Sequence, residues 1–158
     1  MNRILVGDVA PSFTLRDQSG NTVTLEEHRG KPLVLFFYPK DGTPGCTAEA
    51  CAFRDSYDVF RDAGTAVVGI SSDSRERHAR FASKHSLQFP ILSDPDGRVR
   101  NAYGVPRTLG VLPGRTTFVI GPDGVVRHTF TSQLNIQGHI DTALDAIRTM
   151  EQGKERSE

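Results

Sequence analysis

The sequence predicts an α/β fold, a central mixed sheet flanked by helices and preceded by an N-terminal β-hairpin. Three observations carry this. Two strongly apolar runs, Leu33-Val34-Leu35-Phe36-Phe37 and Ala66-Val67-Val68-Gly69-Ile70, read as buried strands. Each is followed by a stretch with apolar residues at helical spacing, and alternating strands and helices imply a parallel core. Late in the chain, Thr116-Thr117-Phe118-Val119-Ile120 and the run 125–130 flank Gly121-Pro122-Asp123-Gly124, a hairpin signal that adds antiparallel strands.

The elements follow in order. Phe13-Thr14-Leu15 and Thr22-Val23-Thr24 alternate around a polar loop and predict the first hairpin. Residues 25–29 read as one helical turn ended by Gly30. Residues 32–37 are the first central strand. From Cys46 to Asp62 the chain reads as one helix, with Ala50, Phe53, Tyr57 and Phe60 forming a face for the sheet and Ala63-Gly64 closing it. Residues 65–71 are the second strand. Ser72-Asp73-Ser74 supplies N-cap candidates for a helix over 75–85 with Phe81 facing inward. His78 and His85 are placed on its surface. Residues 89–92 make a third strand, Asp94-Pro95-Asp96-Gly97 a turn and 99–103 a short helix stopped by Gly104. Residues 109–114 are a loop. A last amphipathic helix over 134–150 uses Ile136, Ile140, Leu144 and Ile147, and 151–158 is a frayed charged tail.

At 158 residues the chain is predicted to be a single domain, 1–158, with 37% hydrophobic residues for a core. Nineteen basic and 19 acidic residues cancel, which argues against nucleic-acid binding and against a membrane surface. No apolar run approaches the roughly 20 residues that span a bilayer. Residues 1–8 lack the apolar stretch of a signal peptide, so the expected address is cytoplasmic. There, two cysteines read as catalytic or redox groups and not as a structural staple.

The chemistry centres on Phe37-Tyr38-Pro39-Lys40-Asp41-Gly42-Thr43-Pro44-Gly45-Cys46, where a strand hands over to a helix through a Gly/Pro-rich turn. The first turn of a helix has unpaired N–H groups and a partial positive charge. Both favour a thiolate, the reactive form of cysteine. Cys46 is therefore a candidate nucleophile, against the alternative of a small buried hydrophobe. Cys51 lies five residues on. In a regular helix that spacing separates the Cα atoms by about 8–9 Å, whereas a disulfide needs them within about 7 Å. A bond between the two requires the helix to unwind. Cys51 is either the partner that captures an oxidised Cys46 or an inert helix thiol.

Attack of a Cys46 thiolate on an oxidant builds negative charge around the sulfur and the atom it meets, so fixed donors there lower the barrier. Thr43 offers a hydroxyl, Gly45 and Cys46 offer N–H groups, and Pro44 stiffens the loop. Pro39 and Tyr38 shape the pocket floor and wall, while Lys40 and Asp41 read as polar turn residues. A cation is still required. Arg115 and Arg107 are the candidates, and arginine's planar fork can touch sulfur and a second atom together.

Thr43-Pro44-Gly45-Cys46-Thr47, preceded by Phe37-Tyr38-Pro39, resembles the active-site motif of the peroxiredoxins, and the Cys-x4-Cys spacing resembles their bacterioferritin-comigratory-protein or PrxQ branch. The resemblance covers about residues 6–150. It implies a thioredoxin-like fold and a thiol peroxidase that reduces hydrogen peroxide and organic hydroperoxides. In it Cys46 forms a sulfenic acid, Cys51 condenses with it, and thioredoxin or a similar dithiol protein reduces the disulfide. No cofactor and no metal are implied, and this branch is often monomeric. The resemblance selects Arg115, because the family's arginine stands three residues before a strand phenylalanine, here Phe118. It assigns Glu49 to ordering that arginine. A dithiol oxidoreductase is disfavoured by the missing Cys-x-x-Cys and by Thr116, where thioredoxin-type proteins place a cis-proline. A redox sensor or holdase role stays open as an addition. A metal module fits least, since two cysteines and five scattered histidines form no recognisable set.

Overall fold

The structure is a computed structural model describing residues 4–105, 107–108, 112–113 and 115–156. Among these, seven strands form one sheet. The N-terminal hairpin is β1 (Thr14–Asp17) and β2 (Thr22–Thr24), followed by β3 (Leu33–Phe37), β4 (Ala66–Ser71) and β5 (Ile91–Ser93). Two short strands, β6 (Arg107–Thr108) and β7 (Leu112–Pro113), pair only with each other. The chain then enters β8 (Thr116–Ile120) and β9 (Val126–Thr131). The order across the sheet is β2-β1-β5-β4-β3-β8-β9. β3, β4 and β5 run parallel, and both hairpins add antiparallel edges, as the sequence predicts.

One register matters most for function. β8 runs antiparallel to β3, with Phe37 opposite Thr116. The loop leaving β3 toward Cys46 therefore starts beside the residue that precedes β8, which is Arg115. Sheet pairing alone brings together residues 69 positions apart.

Every residue of β3 is buried, because both faces of the sheet are covered. On one face Leu35, Phe37, Val68 and Phe118 pack with Phe13, Val99 and Tyr103. On the other, Val34, Phe36, Val67 and Val119 meet Ala50, Phe53 and Phe60, together with Phe81, Ile140 and Ile147. Phe36 stacks on Phe53 with centroids 4.5 Å apart. Gly69 leaves the room for this, since a Cβ there would stand 2.7 Å from the Phe36 ring.

The helices differ from expectation in three ways. Helix α1 runs Pro44–Asp55, so Cys46 is its third residue and not its first. Proline fits the first helical position, where its fixed φ is helical and its missing N–H is not needed. A break at Ser56 (φ −98°, ψ 3°) separates α1 from α2 (Tyr57–Asp62), so 46–62 is not one helix. After α3 (Arg75–His85) and α4 (Arg98–Ala102), helix α5 runs Ile136–Arg156, beyond the expected stop at Met150. Glu151, Gln152, Lys154, Glu155 and Arg156 are good helix formers, so helix propensity carries the chain past Met150. Of the expected loop 109–114, residues 112–113 belong to β7, while 109–111 and 114 lie outside the described residues. Among the described residues no helix is long and apolar enough to cross a membrane.

Candidate active site

Gly42, at φ +80°, makes the left-handed turn that brings the chain from β3 back over the sheet and into α1. Thr43 caps α1 with extended backbone, but its side chain makes no cap hydrogen bond. The Thr43 hydroxyl instead donates to the Lys40 carbonyl at 2.9 Å, which fixes its orientation and leaves its lone pairs to accept from a ligand. The N–H groups of Gly45 and Cys46 fall in the first turn, where a helix has no carbonyl to give them. Pro44 is exposed at the mouth, and Gly45 and Pro39 are half-buried around it.

Cys46 is 1% exposed. Its Sγ accepts from the Lys40 backbone N–H at 3.5 Å and from Arg115 Nη2 at 3.4 Å. Arg115 itself is 4% exposed, and its Nη1 donates to Glu49 Oε1 at 2.8 Å. Burial works against the guanidinium charge. Glu49 and Cys46 outweigh it and hold Arg115 above the usual arginine range. Its fork spans one carboxylate and one sulfur, as the sequence expectation requires. The side chain of Arg107, the alternative cation, lies outside the described residues.

Glu49 is fully buried. Burial pushes its carboxyl up to about 7, against the pull of Arg115. Oε2 has no hydrogen-bond partner among the described residues and sits 3.5 Å from Nδ1 of the fully buried His139 on α5. Burial lowers His139 to about 4, so its ring is neutral at neutral pH. Its Nε2 lies 2.8 Å from the Ser132 carbonyl and its Nδ1 2.8 Å from the Thr117 hydroxyl.

Beneath the loop, Tyr38 donates its hydroxyl to Asp41 Oδ1 at 2.6 Å. Burial, helped by Asp41, pushes the phenol well above its ordinary range. His78 Nδ1 meets Asp41 Oδ2 at 2.5 Å, and the Asp41 N–H donates to Asp73 Oδ2 at 2.7 Å. One expectation is corrected here: His78 is fully buried and not on the surface. Asp41 is a polar turn residue as expected, and also the buried hub of the turn. The ligand atoms of Asp41, Asp73 and His78 lie within 4.8 Å of one another. They are already engaged with each other and with Tyr38 and Ser71, so they brace the active-site loop.

Cys51 is half-buried on the same unbroken α1, with its Sγ 3.8 Å from His85 Nδ1. Both cysteines are free thiols. The structure thus gathers Thr43, Cys46, Glu49 and Arg115 into one cluster and leaves Cys51 apart from it, on the α3 side of the helix.

Gly45 is a further part of the site. A Cβ at this position would stand 2.9 Å from Arg115 Nη2. Gly45→Ala should therefore push the fork off Cys46 while the helix tolerates the alanine. The expected result is a fall of about one to two orders of magnitude in the stopped-flow rate of peroxide reduction, with an unchanged unfolding midpoint. An unchanged rate would show that the fork has slack.

A helix-borne thiol lies under an arginine fork, beside uncapped amides and an oriented threonine, an arrangement suited to a thiolate nucleophile. Comparison with known proteins agrees: the AhpC/TSA family pattern matches residues 6–129, and the chain belongs to that family. It is 48% identical over 149 residues to the chloroplastic peroxiredoxin Q of Sedum lineare, covering 94% of this chain and 80% of that protein. Among solved structures it resembles peroxidoxin BcpB of Mycobacterium tuberculosis (TM-score 0.86, 40% identity, 93% of this chain and 98% of that one). It also resembles the Xanthomonas campestris bacterioferritin comigratory protein, whose structures were described for its alkyl peroxide reduction activity (TM-score 0.82, 33% identity, 93% and 97%). The fold is thioredoxin-like, as these neighbours are. The cytoplasmic address is corrected: the plant relatives are named chloroplastic, which overturns an expectation that rested on the lack of an apolar stretch. That test detects secretory signals only, and the compartment is not encoded in the residues that build a core.

Sequence reasoning missed His139 and the role of His78. A signal existed for both. His139, Ala143 and Ile147 share one helical face, and so do His78, Phe81 and Ala82.

Proposed function

We propose that Cys46 is the peroxidatic thiol and that Thr43, the Gly45 and Cys46 amides and Arg115 hold the peroxide against it. The observation that carries this is the Arg115 fork, 3.4 Å from the sulfur on one arm and anchored on Glu49 by the other. The thiolate attacks the terminal peroxide oxygen, and the O–O bond breaks. Cys46 becomes a sulfenic acid, and the leaving oxygen takes a proton to depart as water or alcohol. Substrates are hydrogen peroxide and organic hydroperoxides, the latter supported by the activity described for the Xanthomonas relative. Cys51 then attacks the sulfenic sulfur, expelling water and leaving a disulfide. Both cysteines sit on intact α1, so this step requires α1 to unwind. Thioredoxin or a similar dithiol protein reduces the disulfide by exchange. Residues 1–158 act as one peroxidase domain and as a monomer, with no cofactor, metal, nucleic acid or membrane in the cycle.

Intact mass after one equivalent of hydrogen peroxide tests this directly. A loss of about 2 Da without dimer is the expected result. A gain of about 16 or 32 Da would retain Cys46 and remove Cys51 from the cycle. No change within seconds would overturn the assignment of Cys46.

A further inference from the structure

The environment of Glu49 Oε2 is chemically incomplete. The Ser132 carbonyl can only accept, so His139 Nε2 carries the ring proton. In the neutral ring Nδ1 is then an acceptor and receives the Thr117 hydroxyl. Glu49 Oε2 therefore faces a nitrogen lone pair at 3.5 Å, without a hydrogen between them and without another partner among the described residues. Two buried acceptors face to face are costly. A proton on Oε2 makes it a donor toward Nδ1, whose lone pair is then shared between Glu49 and the Thr117 hydroxyl.

The surroundings connect this proton to the catalytic sulfur. On α1, Cys46 and Glu49 lie on either side of Arg115 and draw on its single positive charge. From β8 the group facing the pair is Thr117, with Arg115 just before it. From β9 it is His128, whose charge would disfavour a second charge on His139, while the Phe130 ring packs edge-on against the imidazole. Ser132 closes the far side. Arg115 is thus the one fixed cation among these groups, and two potential anions share it.

We propose that Glu49 and His139 form a buried proton-holding pair coupled to the charge on Cys46, keeping a proton on Glu49 Oε2 against His139 Nδ1 while Cys46 is a thiolate and releasing it when Cys46 becomes a sulfenic acid. His139 is then a positioning residue, acting through Glu49 on the Arg115 fork. The step balances. Thiolate, hydroperoxide and one proton give sulfenic acid and alcohol, with two electrons passing from sulfur to the broken O–O bond. The thiolate charge vanishes, Arg115 is left with Glu49 alone, and Glu49 ionises as the leaving alkoxide takes up a proton. This rests on Cys46 being the peroxidatic thiol.

The test is a carbon-13 titration of the Glu49 carboxyl in reduced protein, in Cys46→Ser and in His139→Asn. In reduced protein the midpoint should lie near 7. Serine removes the competing anion and keeps a side chain of similar size, so its midpoint should fall by about one pH unit or more. Asparagine can accept from Thr117 through its carbonyl but presents no ring lone pair to a protonated Glu49, so its midpoint should fall too. The inflection near pH 7 in its peroxide-reduction profile should then be lost. A purely packing role for His139 would move none of these. Equal midpoints in reduced protein and Cys46→Ser would overturn the coupling. Should His139→Asn not fold, the serine comparison still decides. If the mass experiment shows oxidation at Cys46 while the midpoints are equal, only the proton pair fails.

Discussion

Arg115→Lys should lower the second-order rate constant for peroxide reduction by about 10²–10³-fold, the usual effect of losing a preorganised donor at a site of developing charge. Arg115 acts as a bridge. Nη1 lies 2.8 Å from Glu49 and Nη2 3.4 Å from Cys46. An ammonium is a point charge on a flexible stem and can reach one of these groups but not hold both in a plane. Glu49 is fully buried and its Oε2 has no partner among the described residues, so it should ionise and capture the ammonium. Cys46 would then lose its cation, and the transition state its bidentate donor. Stopped-flow kinetics of the reduced variant measure this, with circular dichroism confirming the fold. A rate within about threefold of the parent would mean that the helix amides carry the stabilisation. The uncapped first turn of α1 is the local alternative, so the comparison separates fork from dipole.

The parts of this site that were legible in the sequence are those written contiguously or tied to a strand. Thr43 to Cys46 is one turn and one helix start, and its residue types dictate that geometry. Arg115 could be placed because β8 is unmistakable and the resemblance to the peroxiredoxins counts the arginine from the strand phenylalanine, here Phe118; the residues alone left Arg107 open. The central strands were legible for the same reason: an apolar run covered on both faces has no other stable place. What sequence could not supply were the pairings across elements. Asp41 and His78 are 37 positions apart and meet only because α3 packs over the β3 loop. Glu49 and His139 meet because α5 crosses α1. A histidine on an amphipathic helix is neutral with respect to burial until a partner for each ring nitrogen is known. Helix boundaries were lost where local chemistry is permissive: at Ser56, which interrupts a continuous apolar pattern, and after Met150, where good helix formers carry α5 onward to Arg156.

Wild-type stability should vary little between about pH 4.5 and 6.5, and Glu49→Gln should expose a steep acid dependence there. Glu49 has an ordinary value of 4.5 and is raised to about 7 in the fold. Between those values the native state holds a proton that the unfolded chain releases, so stability is lost as pH rises through the window. His139 runs the other way. Its ordinary value of 6.5 falls to about 4, so the unfolded chain takes up a proton that the native state refuses, and stability is lost as pH falls. Over the shared window the two slopes oppose and nearly cancel. Glutamine imitates the protonated carboxyl: its amide can donate to His139 Nδ1 and its carbonyl can accept from Arg115. It removes only the Glu49 titration. The variant should therefore lose on the order of 3 kcal/mol as pH falls from 6.5 to 4, at about 1.4 kcal/mol per pKa unit. Urea unfolding at half-unit intervals of pH reads this slope. Parallel curves for the variant and the parent would mean that Glu49 is already ionised throughout, with Arg115 outweighing its burial.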